Sequence, residues 1–283
     1  MARAIERIEG DITAIKQAIR AIATELHSNY VNYLTILGEA LQKQLILAVY
    51  HVCTQGYPDK FLKLSLNQRQ QLQQGIRKLG QKGAQQLLVY LQGGDTEEAE
   101  ETEEFEETEE TEETEDSKND PQSKIEKQKY LDPSNPIEVA QWHQDLEEGI
   151  QNTLRKVSQD ANSLIQKVGI LPKKLPEPIL AAAAAAVSEA SGEVIPGPPN
   201  LLNLVIEISS DDESEDSSLT QLITLNLRLG DIEFADNTLL SARKQIRNIL
   251  LQLNKLGKEY QKKNRELKIA EAEAAWRASW FEG

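Results

Sequence analysis

Residues 4–26 read AIERIEGDITAIKQAIRAIATEL, and the spacing of their apolar side chains decides the fold class. Ile5, Ile8, Ile12, Ile15, Ile19, Ile22 and Leu26 follow one another at alternating steps of three and four. Such steps put side chains on one face of an α-helix, and strict alternation is the heptad seam of a coiled coil. Gly10 falls on the outer face, where it costs about 1 kcal/mol relative to alanine. Asp11 and Lys16 sit where an attractive interhelical pair would form in a parallel coil. Three heptads are marginal alone, so this helix needs a partner. The partner is either the chain's own next helix or another copy, and isoleucine at both core positions favours trimers or tetramers in the second case.

Working outward, a second helix is expected over 29–54, with Leu34, Leu37, Leu41, Leu45 and Val49 on its apolar side and Gly56 and Pro58 ending it. Ser65 with Gln68 three residues on is a capping-box arrangement opening a third helix. Gly80 and Gly83 are expected to interrupt it, leaving a short helix over 84–91. Residues 1–91 therefore read as a helical bundle.

Gly93 and Gly94 end that unit, and a Thr-Glu-Glu repeat follows, in which Ala99 and Phe105 replace two of the threonines. Residues 95–120 carry sixteen acidic side chains against one lysine, Lys118, which by itself equals the formal net charge of −15 for the whole chain. Like charges this dense cannot bury surface, so 92–131 read as an acidic disordered linker. Three roles suit it: a solubilising spacer, a competitor for the chain's own basic faces, or a dock for a basic partner.

Asn135 followed by Pro136 marks another helix start, and Leu146, Ile150, Leu154, Val157, Ala161, Leu164 and Val168 continue at helical spacing to Gly169 and Pro172. A Pro/Ala-rich connector fills out 132–199. Leu201 to Ile208 and the alternating stretch 221–229 read as two strands joined by the acidic 209–218 segment, with 231–234 extending the second strand or turning back as a third. Asp236 or Asn237 then caps a helix over 238–280 whose apolar seam is broken at Lys263. At about 1.5 Å per residue it approaches 60 Å, so part of it must meet another segment, another copy or a partner.

Little here suggests catalysis. The single cysteine, Cys53, excludes an internal disulfide. His27, His51 and His143 are far apart in sequence, and neither a zinc-ligand set nor a nucleophile–base set appears. No catalytic residue, cofactor or metal is expected. Gly80 to Gly83, with Arg77, Lys78 and Lys82 nearby, has the form of a GxxG nucleic-acid clamp, but that loop needs accompanying strands and 1–91 show none. The N-terminus lacks the apolar core of a signal peptide, and no apolar run approaches the ~20 residues of a membrane span.

Two features suggest binding instead. Lys255, Lys258, Lys262, Lys263, Arg265 and Lys268 give the last helix a basic middle, either a solvated face or a landing site for an anionic surface. Trp276 and Trp280, four apart, share one helix face: they pack under the strands or form a docking hot spot. The stretches YHVCTQGYPDKFLKLSLNQRQQLQ (50–73) and RELKIAEAEAAWRASWFE (265–282) resemble an uncharacterised cyanobacterial protein family of unknown function, which implies a bacterial cytoplasm and carries over no site.

The sequence thus describes a mainly α (α+β overall) protein: a helical bundle over 1–91, the acidic linker 92–131, a helix plus connector over 132–199, and a β-hairpin packed on a long helix over 200–283. The expected function is a non-enzymatic, cytoplasmic adaptor, scaffold or assembly factor. It would act through Ile5, Ile8, Ile12, Ile15, Ile19, Ile22, Leu26, Trp276 and Trp280 on a protein partner or as a homo-oligomer. The alternative is a nucleic-acid or anion binder restrained by its acidic tract, with nucleic acid the less favoured partner and membrane contact not expected.

Overall fold

The computed structural model describes residues 2–92, 132–172, 198–208 and 218–280. The acidic linker, most of the Pro/Ala-rich connector and the acidic turn of the hairpin lie outside them. The fold is mainly helical with one two-stranded antiparallel sheet. Helix α1 runs over Ala2–His51 and ends in a π-turn, Val52–Gly56. Next come α2 (Pro58–Leu62), α3 (Leu66–Val89) with a 3-10 turn at Tyr90–Gln92, and α4 (Pro136–Lys167). Strands β1 (Leu201–Ile208) and β2 (Ser218–Leu225), the short α5 (Leu229–Phe234) and the long α6 (Asn237–Ser279) complete it.

Caps place the helix starts. The Ser65 hydroxyl accepts from the Gln68 N–H while the Gln68 side chain accepts from the Ser65 N–H, the reciprocal capping box. Asn135 caps α4 with Pro136 at its first position, and the Asp236 carboxylate accepts from the Thr238 and Leu239 N–H groups. These backbone bonds hold the Asp236 carboxyl below its usual pKa. At the end of α4, Gly169 takes a left-handed φ of 85° and closes the turn.

Three expectations are corrected. The helices expected at 4–26 and 29–54 are one continuous α1, because nothing near His27 breaks the backbone and the apolar face runs on through Leu26, Tyr30, Tyr33 and Leu37. Gly80 and Gly83 do not interrupt α3. A Cβ on Gly80 would lie 3.2 Å from Gln42 Cγ, and one on Gly83 2.8 Å from Val157 Cγ2. They are close-approach positions in mid-helix, so neither the GxxG clamp nor a turn exists there. Residues 231–234 form α5 rather than strand, and β2 begins at Ser218 and ends at Leu225.

Side chains set that end. Asn162 on α4 accepts from the Leu225 N–H and donates to the Leu225 carbonyl, matching one rung of a strand ladder. Ser158 accepts from the Leu227 N–H, and Tyr57 accepts from the Ile223 N–H. Asn200, fully buried at φ 61°, donates to Gln44 and accepts from the Arg228 N–H, fixing the approach to β1.

The core runs along α1. It packs against α6 and α3, and α3 packs on α4. Asp11 meets Lys263 at one end of the α1–α6 pair and Tyr33 meets Arg243 further along, so the two helices are antiparallel. Ile12, Ile19, Ile22 and Leu26 are buried in this joint and Ile5, Ile8 and Ile15 half-buried. Each fully buried Ile or Leu contributes about 1.5–3 kcal/mol. The seam is thus filled by the chain's own last helix, and not by the next helix in sequence.

Candidate functional site

The unusual chemistry of this molecule lies where α1, α4, α5 and α6 meet. Arg243 on α6 is buried and makes four hydrogen bonds. Its Nε donates to Glu233 Oε1 at 2.6 Å, Nη1 and Nη2 donate to the two Glu147 oxygens, and Nη2 also donates to the Tyr33 hydroxyl at 2.8 Å. The guanidinium carbon stands 4.5 Å from the centre of the Tyr33 ring, a cation–π distance. Tyr33 donates to Glu233 and Tyr30 donates to Glu147, each at 2.6 Å.

Both tyrosines are wholly buried. With the Tyr30 proton committed to Glu147, His143 Nδ1, 2.8 Å from the same hydroxyl, carries a proton and donates. Trp142 lies beside it, its ring 5.6 Å from Tyr30 and stacked on His27 at 5.9 Å. Two histidines far apart in sequence therefore share one aromatic cluster, while His51 stands elsewhere against Tyr50.

Charge and burial set the protonation states. Burial, ahead of the nearby carboxylates, pushes the Tyr30 and Tyr33 phenols far above their ordinary range. Burial alone would raise Glu147, but hydrogen bonds and charge from Arg243 outweigh it and the carboxyl titrates low. Burial opposes the charged form of Arg243 as well, yet its carboxylate partners hold its pKa above the usual value. Burial, with the Arg243 charge, lowers His143 against the opposing pull of Glu147. The group is a braced ion network in which both tyrosine protons and four guanidinium bonds are spent on protein partners. Chemically it can tie four helices together and fix their register.

The sequence reading missed this network. Its one signal was that the α1 seam continues through two tyrosines, whose hydroxyls need partners when buried. The basic residues singled out on α6 are distributed differently. Lys255, Lys258, Lys262, Arg265 and Lys268 are exposed. Lys263 does not break the seam. It bridges Asp11 of α1 and Glu266, each at 3.1 Å, and these bonds raise its pKa. Trp276 and Trp280 do not pack under the strands. They are 66% and 71% exposed, with ring centroids 5.7 Å apart, on a stretch of α6 where everything beyond Ala274 faces solvent.

Among the described residues no helix is long and apolar enough to cross a membrane, and no group of three or more His, Cys, Asp or Glu side chains is placed to hold a metal ion. No protein-family model matches the chain, and neither a curated protein nor a solved structure matches it.

Proposed function

We propose that this chain is a non-enzymatic adaptor of the cytoplasm, a braced helical body that offers the distal end of α6 to a protein partner. The observation that carries the reading is the exposed pair Trp276 and Trp280, side by side on a helix that has outrun its own packing. Tryptophan is among the residues most enriched at interface hot spots, where truncation to alanine costs about 2 kcal/mol or more. The Ile seam has no part in this contact, since α6 already fills it.

The test is affinity capture with the intact chain and with Trp276→Ala/Trp280→Ala, followed by reconstitution from purified partner. One protein retained by the intact chain, lost with the variant and rebound at 1:1 from pure components supports the adaptor. Equal retention by both chains, with their melting curves matched, rejects the tryptophan pair as the docking surface.

A further inference from the structure

Helix α6 has two patterned faces, and the core covers only one of them. The inner seam runs through Ile246, Ile249, Leu253, Leu256, Tyr260 and Leu267, buried or half-buried. On the opposite side Lys244, Arg247, Lys255, Lys258, Lys262 and Arg265 form a row at helical spacing, all exposed. Leu251 fills the step between Arg247 and Lys255, and Ile269, Trp276 and Trp280 continue the row past Arg265. Leu251 is 69% and Ile269 51% exposed.

The row is not free of acids. Glu259 stands among its cations, four residues after Lys255 and three before Lys262. Glu266 is held by Lys263, and Glu273 faces Arg277. From Lys244 to Arg265 the row therefore sets six cations against one acid, and among the described residues none of the six is ion-paired. A merely solvated face intersperses both signs. Helix α4 does so, exposing Asp145, Glu148 and Asp160 with Arg155, Lys156 and Lys167.

Charge and shape together select what fits this face. The cations span about 30 Å, and the row reaches about 54 Å from Lys244 to Trp280. Such an excess of one sign attracts an anionic surface. Duplex phosphates take up cations but leave Leu251, Ile269 and the tryptophans uncovered. A helix lying on a bilayer carries apolar side chains all along its buried face. Between Leu251 and Ile269, about 27 Å, this face exposes none. A second helix meets both demands. Its side chains recur with the same 1.5 Å rise per residue, so carboxylates and apolar groups stay in step with the row.

We propose that the outer face of α6 binds an acidic amphipathic helix of a partner protein. Its carboxylates pair with Lys244, Arg247, Lys255, Lys258, Lys262 and Arg265, and its apolar side chains cover Leu251, Ile269 and Trp276. This deepens the adaptor reading and rests on it for the partner being a protein.

Fluorescence anisotropy on the full chain tests it, with a labelled peptide of about 28 residues built on the repeat Leu-Glu-Glu-Ala-Leu-Glu-Glu, long enough as a helix to cover the six cations. The expected result is binding that high salt suppresses and that Lys255→Glu/Lys258→Glu/Lys262→Glu weakens at least about tenfold. Glutamine at the same three positions should weaken it less, and the same peptide with lysine for glutamate should not bind. Equal binding by the intact and charge-reversed chains, with melting curves matched, overturns the proposal. Tighter binding of duplex DNA, or of vesicles containing phosphatidylserine, than of the acidic peptide overturns it as well. The two readings fail separately. The adaptor reading falls when Trp276→Ala/Trp280→Ala leaves capture unchanged, and the acidic-helix proposal falls when the peptide ignores the three lysines.

Discussion

Replacing Arg243 by methionine tests the brace at the centre of the fold. Methionine keeps much of the length and apolar stem but removes the charge and all four donated bonds. Glu233 and Arg243 expose only about a tenth of their side chains, 10% and 9%, so the lost pair is a buried one. Removing one partner of such a pair leaves an uncompensated charge and costs about 3–5 kcal/mol. The Glu147 half adds less, since that side chain is 26% exposed and water takes over part of its solvation.

The expected loss in a urea titration followed by circular dichroism at pH 7 is therefore about 3–5 kcal/mol, which lowers the melting temperature by about 10 °C for a chain of this size. The cause is a stranded carboxylate rather than a cavity. Glu233→Gln in the Arg243→Met background should accordingly restore part of the loss, while Glu233→Gln alone should destabilise. A loss under about 1 kcal/mol for Arg243→Met would refute the reasoning, as would simple additivity of the two substitutions.

The same network makes stability depend on pH at both ends. Tyr30 and Tyr33 have raised pKa values in the folded chain, so their contribution is intact below the ordinary value of 10.0 and falls above it by about 1.4 kcal/mol per pH unit for each, a slope that Tyr30→Phe should reduce in alkaline denaturation curves. His143 has a lowered pKa, so its contribution is intact above the ordinary 6.5 and declines as pH falls below it; His143→Gln should flatten melting temperature against pH there. Gly83→Ala should destabilise by about 1–3 kcal/mol in thermal melts because its Cβ meets Val157, whereas Gly10→Ala, with nothing within 4 Å, should stabilise by up to about 1 kcal/mol. A chain ending at Asp236 lacks α6 and bares Ile12, Ile19, Ile22 and Leu26; light scattering should find it more strongly associated than the full chain.

Local rules in the sequence located most of the elements. The Ser65/Gln68 capping box, Asn135 before Pro136 and Asp236 before α6 each satisfy orphan backbone donors within a few residues, so they are readable without tertiary structure. Glycine was the weak point. Gly80 and Gly83 suit a helix break and a close helix crossing equally well in one dimension, and only Gln42 and Val157 across the gap decide between them. Residues 231–234 alternate like a strand, but the Arg228–Asp231 ion pair at the first turn starts a helix instead. The network was almost invisible for the same reason, since Tyr33 and Arg243 lie 210 positions apart.

The Ile seam shows why pattern and partner are separate questions. A heptad states that a helix has one face to bury and says nothing about whose surface covers it. Here an antiparallel α6 covers it, and apolar seam contacts alone allow many registers, since each shift by a heptad replaces one aliphatic pair with another. The polar groups remove that freedom. A slip of one heptad would carry Arg243 away from Tyr33, breaking a buried bond, and Lys263 away from Asp11, breaking an exposed ion pair. Hydrophobic burial drives α1 and α6 together, and Arg243 with Lys263 selects the alignment in which these two cations keep their partners.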